Sequence, residues 1–400
     1  MEPPSKASLL TGVVGLTTKS TFSYYFRGPR CHTWPLWFQL YRNAMFYIVK
    51  RTAYVNASEQ NIDAIDFDLL HANNRKFDMP SAKMPANMGR FERGSIPVDQ
   101  VEIDTGIFAN IGPAETGLVL LTEADKETRG RQIPYDILVP KHLIKTKGAF
   151  ECRPLKQSER IVMYMHGGAF TMGSPASHRG LTGRLVHHSG ARCISIEFRL
   201  APKHPFPAQL HDAYISYQYL ILQGFKPKDI VLAGDSAGGN LAITLTLLLR
   251  HIGATMPGGL VLLSPWADVA SERPSILANK KYDYLYPLPV ENPTCQSRVF
   301  YAPGRKLTEQ LKKELKHPLV SPVYADFSGF PPILMHVGSK EIMADDMDEM
   351  YQRMLATSSK NRANITYESY PDMIHVFHQF HDLPCAQKAY TSIGNFINSL

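Results

Sequence analysis

From Arg160 to the end of the 400-residue chain, short apolar runs alternate with longer stretches of helical period, and this alternation constrains the fold more than any other feature. The runs are IVMYMH (161–166), CISIEF (193–198), DIVLAG (229–234), LVLLS (260–264), ILMHVG (333–338) and ITYESY (365–370). Each is of strand length. Several are apolar on both faces, as strands enclosed by two helical layers must be. Between them, 240–250 reads as a helix closed by Gly253, and 343–355 and 385–397 read as two more. The alternation predicts a mostly parallel central sheet covered by helices on both faces. Upstream, 101–107 and 117–121 read as an antiparallel hairpin leading into that sheet.

Two regions break the rhythm. Residues 1–95 show no strand pattern, and Trp34, Trp37, Phe38, Tyr41, Met45, Ile48 and Val49 share one helical face by i, i+3, i+4, i+7 spacing. Such a face either packs on its own domain or makes a peripheral membrane contact through residues 34–49. Residues 268–325, rich in Pro, Tyr and Lys, lie between two strand runs and read as an insertion over one end of the sheet. The expected organisation is an N-terminal helical cap (1–95) followed by an α/β domain (96–400) that carries the insertion.

Composition narrows the class further. With 44% hydrophobic and 20% charged residues, the chain is neither disordered, collagenous nor coiled-coil. The net charge is +7, but no basic run exceeds two residues, so the excess reads as spread and no nucleic-acid partner is expected. The five cysteines are far apart and form no CxxC pair, which indicates neither a disulfide framework nor a zinc site. The first twenty residues carry an acidic group and a Thr- and Gly-broken apolar stretch, a poor signal peptide. No uncharged apolar run reaches the roughly 18 residues of a spanning helix. An intracellular, cytoplasmic protein is therefore expected, with the sequons at Asn56 and Asn364 read as chance matches and nothing to fix an oligomeric state.

The chemistry is concentrated in two strings. After the run DIVLAG comes GDSAGGN, in which Gly234, Ser236 and Gly238 form GxSxG between a strand and a helix. A serine that attacks a carbonyl must stand clear of the sheet on a sharp turn, where flanking side chains would clash. Alone, the pattern also fits an ordinary Gly-rich turn. The second string removes that reading: HGGAF (166–170) ends an upstream strand, where its loop can present backbone N–H groups to a developing oxyanion. Gly167, Gly168, Ala169 and Ala237 are the candidate oxyanion-hole positions. His166 reads as a loop-shaping hydrogen-bonder, and Asp235 as a loop residue of the serine turn.

These residues resemble the hormone-sensitive-lipase family of α/β-hydrolases. The resemblance spans about 130–400 and rests on HGGAF, EFRLAPKHPFPAQLHDA (197–213), GDSAGGNLA (234–242), LLSPWADV (262–269), 317–346 and DMIHVF (372–377). Within the family the chain is similar to fungal esterases of the steryl acetyl hydrolase type. The resemblance implies an α/β-hydrolase fold and a catalytic triad in the chain order Ser, acid, His, which here matches Ser236, Glu341 and His375. Many members carry Asp where this chain has Glu341, one carbon longer. Asp345 and Asp346 stand close by as alternative acids, and His378 is the rival to His375. The tyrosines of KYDYLY (281–286) either line a substrate pocket or pack the insertion on the core.

The resemblance implies a serine hydrolase that cleaves short-chain, above all acetyl, esters of an apolar small molecule such as a sterol or specialised metabolite, with no metal or organic cofactor. Amide or thioester cleavage would use the same groups. A non-catalytic binding module is the contrasting alternative, since the gibberellin receptors of plants show this fold turned to hormone binding with loss of the catalytic His; here a His is kept.

Overall fold

Eight strands form one sheet in the order β1-β2-β4-β3-β5-β6-β7-β8. The structure, a computed structural model, describes residues 6–57, 88–101, 130–143, 159–270, 272–357 and 364–400. The strands are β1 (Met88–Pro97), β2 (Gln132–Pro140), β3 (Ile161–Met165), β4 (Arg192–Ile196), β5 (Ile230–Asp235), β6 (Gly259–Leu263), β7 (Ile333–Gly338) and β8 (Ile365–Tyr370). From β4 to β8 all neighbours are parallel, while β2 runs antiparallel to both β1 and β4. The α/β-hydrolase fold expected from the sequence is the fold observed.

The helices among the described residues are α1 (Lys6–Arg27), α2 (Leu36–Ala57), α3 (Pro175–Ser189), α4 (Ala208–Leu222), α5 (Ala237–His251), α6 (Pro274–Asn279), α7 (Gln296–Tyr301), α8 (Glu309–Leu315), α9 (Ala344–Thr357) and α10 (Pro384–Ser399). Successive strand residues point to opposite sheet faces, so each strand feeds two cores. On β3, Ile161, Met163 and Met165 join the larger core with α4, α5 and α9, whereas Val162 and Tyr164 join the smaller one with α3 and α10. Every residue of β3 to β7 is buried, which explains their unbroken apolar runs.

Three expectations need adjustment. The antiparallel pair is β1 with β2, whose register joins Ile96 to Ile133 and Phe91 to Leu138. The expected hairpin at 101–107 and 117–121 lies, apart from Val101, outside the described residues. Strand β1 falls across the boundary expected at residue 95; it is a sheet edge, and its large apolar residues, Met88, Phe91 and Ile96, do not fall at alternate positions, so it shows no apolar alternation. The helix read at 240–250 begins at Ala237, where Gly238 and Gly239 weaken the helical signal.

Trp34, just before α2, and the α2 face carrying Phe38 and Tyr41 pack inward. Trp34 and Phe38 are fully buried in a cluster with Met373, Phe377 and Phe380. Of the two alternatives for this helix, packing on its own domain is the one these side chains adopt. Trp34 Nε1 also donates to the Asp372 carbonyl at 2.7 Å, and Phe38 and Tyr41 meet the Phe380 ring edge-on. Among the described residues no helix is long and apolar enough to cross a membrane.

Candidate active site

The residues of interest all sit at the C-terminal ends of parallel strands, where an open α/β sheet places its ligand crevice. Ser236 follows β5, the HGGAF loop follows β3, Ser264 follows β6, Glu341 follows β7 and His375 follows β8.

Ser236 stands between β5 and α5 with φ 52° and ψ −119°, a conformation that non-glycine residues rarely adopt. The turn is enforced from both sides: Ser236 N donates to Leu263 O at 2.9 Å, and its carbonyl accepts from Trp266 N at 2.9 Å and Asn240 N at 3.1 Å. A Cβ at Gly238 would run into the Met165 carbonyl, and one at Gly234 into the Gly238 backbone, so both GxSxG glycines are required by space. From Ile230 to Leu249 every residue is buried except Ser236. Its side chain does not cap the helix it precedes, so the hydroxyl is left for other work.

The HGGAF loop turns through three successive left-handed residues, Gly168 (φ 116°), Ala169 (φ 53°) and Phe170 (φ 61°). Asp235 ties this loop to the serine turn. Its Oδ1 accepts from Tyr164 Oη at 2.5 Å and from Gly167 N at 3.0 Å, and its Oδ2 lies 3.4 Å from His178 Nε2. Burial works to raise the Asp235 carboxyl, but His178 and Tyr164 outweigh it and hold it at about 2. Because Gly167 gives its N–H to Asp235, it is already engaged. The N–H groups of Gly168, Ala169 and Ala237 show no acceptor among the described residues. Ala237 is the first residue of α5, whose N–H has no partner within the helix. His166 stacks on Phe198, with ring centroids 4.3 Å apart, and its Nδ1 meets the Gly167 carbonyl at 2.8 Å.

Glu341 is completely buried, and its Oε2 lies 2.9 Å from His375 Nδ1. With a carboxylate as partner, Nδ1 carries the proton, and Nε2 is left as the acceptor. The other oxygen, Oε1, accepts from Ser264 Oγ at 2.7 Å and from Gly338 N at 2.5 Å. Ser264 Oγ in turn accepts from Val376 N at 3.1 Å, so one hydroxyl clips the acid to the histidine loop. That loop is sharply folded, with Asp372 and Val376 both left-handed. Burial works to lower the His375 pKa, but the Glu341 bond and the charges of Asp283 and Asp235 prevail and raise it above the ordinary imidazole value.

The alternative groups are engaged elsewhere. Asp346 is buried against Arg273 Nε at 2.5 Å, and Asp345 accepts from Ser275 N at 2.8 Å. His378 turns away from Glu341 and meets His336, ring nitrogen to ring nitrogen, at 3.1 Å, with His336 reaching Glu368 at 3.2 Å; burial pushes both imidazoles below their ordinary value. Within KYDYLY, Tyr284 lies with its ring 6.1 Å from that of His375, and Tyr282 packs against the Trp34 cluster.

Two residues beside the His375–Glu341 pair escaped the sequence reading. Ser264 lies in LLSPWADV, part of the resemblance, but no local pattern marks a serine as a clip. Asp283 sits between the tyrosines; it is fully buried and accepts from Ile342 N at 3.0 Å and Tyr284 N at 2.7 Å. Burial raises its carboxyl pKa, with His375 opposing. Its backbone carbonyl and those of Lys280 and Tyr282 are held by the buried guanidinium of Arg42 on α2, at 2.6, 3.1 and 2.5 Å. Among the described residues no cluster of three or more His, Cys, Asp or Glu is arranged to hold a metal ion.

A family model described as the alpha/beta hydrolase fold matches residues 162–379, which runs from β3 past His375. The chain belongs to this family of α/β-hydrolases. The resemblance to the hormone-sensitive-lipase family seen in the sequence is thereby borne out, and this α/β-hydrolase is a carboxylic-ester hydrolase. It is 36% identical over 250 residues to an acetyl-hydrolase of Streptomyces hygroscopicus, covering 62% of this chain and 78% of the relative. It is 34% identical over 251 residues to an esterase of Acinetobacter venetianus, with the same two coverages. A crystal structure of an esterase/lipase from an uncultured bacterium superposes with a TM-score of 0.58 at 25% identity, over 88% of this α/β-hydrolase and 97% of that chain.

Proposed function

We propose that this α/β-hydrolase is a serine esterase that removes short acyl groups, acetyl above all, from an apolar small molecule such as a sterol or specialised metabolite, through a Ser236–His375–Glu341 triad. The observation that carries the reading is the buried bond between Glu341 and His375 Nδ1, which leaves Nε2 as the base at the same sheet end as the strained, accessible Ser236. The likeness to the acetyl-hydrolase supports the acyl class.

In the reading, Ser236 Oγ attacks the ester carbonyl as its proton passes to His375 Nε2. The N–H groups of Gly168, Ala169 and Ala237 receive the oxyanion, and Glu341 stabilises the imidazolium without taking its proton. His375 returns the proton to the departing alcohol. Water, deprotonated by the same imidazole, then releases the acid from the acyl-enzyme.

The test is hydrolysis of p-nitrophenyl esters from acetate to palmitate by the wild type beside Ser236→Ala, Glu341→Gln and His375→Ala. Loss of Ser236 or His375 should reduce turnover on the order of 10⁴- to 10⁶-fold. Activity that survives Ser236→Ala overturns the triad, and a preference for palmitate overturns the short-acyl assignment. A wild type that binds apolar esters without cleaving them would return the fold to a binding module.

A further inference from the structure

Helix α1 presents two opposite faces. Toward α2 it places Gly12, where a Cβ would collide with the Tyr47 ring, Ser20, which accepts from Asn43 Nδ2 at 3.0 Å, and Tyr24, which donates to the Trp34 carbonyl at 3.2 Å. Residues two positions further on lie on the far side, about 200° around a helix that turns about 100° per residue. That far side holds Leu10, Val14, Thr18, Phe22 and Phe26, with Tyr25 adjoining. The five apolar and aromatic members are 61–74% exposed, and no other element among the described residues exposes more than one large apolar side chain to that degree.

The charge of the same region is one-sided. Residues 3–58 contain seven Lys and Arg and no Asp or Glu, so this segment alone accounts for the net charge of the 400 residues, +7. The excess that looked spread, because no basic run is long, is concentrated in the first two helices. Lys19 lies on the turn beside the apolar row, about 20° around the helix from Phe26, and Lys19, Arg27 and Arg30 are all exposed, Arg30 with its Nη1 on the Lys281 carbonyl.

We propose that the outward face of α1 docks the protein on the surface of an anionic lipid bilayer. An apolar row with aromatic rings on one side of a helix, flanked by cations without a compensating acid, suits a helix that lies in the interface with its rings at the acyl boundary and its cations at the headgroups. At 22 residues α1 is long enough to span, but it is not apolar enough to do so. A second copy of the chain is a poor occupant, because pairing this face would bring two segments of charge +7 together. Membrane contact through residues 34–49 is one of two alternatives the sequence leaves open; Trp34 and Phe38 of that stretch are buried, and the proposal rests on α1.

The experiment is sedimentation of the full-length protein with phosphatidylcholine vesicles, with and without phosphatidylserine. Wild type should sediment with the anionic vesicles and be released as salt rises. Phe22→Ser, Tyr25→Ser and Phe26→Ser combined should weaken partitioning roughly tenfold or more while hydrolysis of a soluble p-nitrophenyl ester continues. Lys19→Glu with Arg27→Glu should remove the preference for anionic over zwitterionic vesicles, each cation being worth about fivefold. The proposal fails if wild type stays in the supernatant with anionic vesicles, or if the triple variant sediments as well as wild type. A concentration-dependent dimer abolished by the same three substitutions would also overturn it and give the face to a second copy.

Discussion

Arg42 donates to the Asp283 carbonyl at 2.6 Å across 241 positions of sequence, and it reaches two further carbonyls of the same strap. The strap's other side faces the site, where the Asp283 carboxylate accepts from the N–H of Ile342, next to Glu341. Helix α2 is thus fastened to the segment that backs the acid. Arg42→Ala leaves several buried carbonyls unpaired and should cost on the order of 3 kcal/mol in urea unfolding. Arg42→Lys, with one point donor in place of a planar fork, should recover only part of that stability.

Ser264→Ala should act on turnover. It removes the donor to Glu341 Oε1 and the acceptor for Val376 N, so the acid and the histidine loop lose their common clip. At about 1–3 kcal/mol for the lost bonds, kcat should fall roughly 5- to 150-fold with KM little changed. A rise in KM at constant kcat would assign Ser264 to substrate binding.

The pH profile follows from His375. The base must be neutral, and its pKa is raised, so kcat/KM should fall as pH drops through a value above the ordinary 6.5. Glu341→Gln withdraws the carboxylate that raises it, and the acid limb of the residual activity should move to lower pH. An unmoved limb would show that another group controls it.

Asp235 governs acid stability. Its carboxyl lies at about 2 against an ordinary 3.8, so the unfolded chain binds the proton more readily. Its contribution, about 2 kcal/mol, is fully present above pH 3.8 and is lost as pH falls through about 2. Asp235→Asn should flatten the stability curve over that interval, as read by urea midpoints at successive pH values.

The parallel core was legible because β3 to β7 are buried on both faces and carry their apolar residues in unbroken runs. Helix α4 was not, since eleven of its fifteen residues are buried and burial on nearly every side erases the amphipathic period. Helix α3 hides behind two glycines and three histidines. Strand β1 is a sheet edge whose few large apolar residues, Met88, Phe91 and Ile96, keep no alternate spacing. At the site, GxSxG and HGGAF stood out because each backbone demand leaves a residue signature, positive φ or absent Cβ. Ser264, Asp283 and Arg42 left none, because their roles depend on partners between 59 and 241 positions away.

The bond from Trp34 to the Asp372 carbonyl joins residues 338 positions apart. At a synthesis rate of about 5–20 residues per second, the indole leaves the ribosome tens of seconds before its acceptor exists. Throughout that interval the Trp34–Phe38 surface lacks its cover of Met373, Phe377 and Phe380, so α2 settles only after those residues are made. The nascent chain carries an adhesive flank for most of its translation, and a message truncated before codon 372 yields a product that keeps it bare.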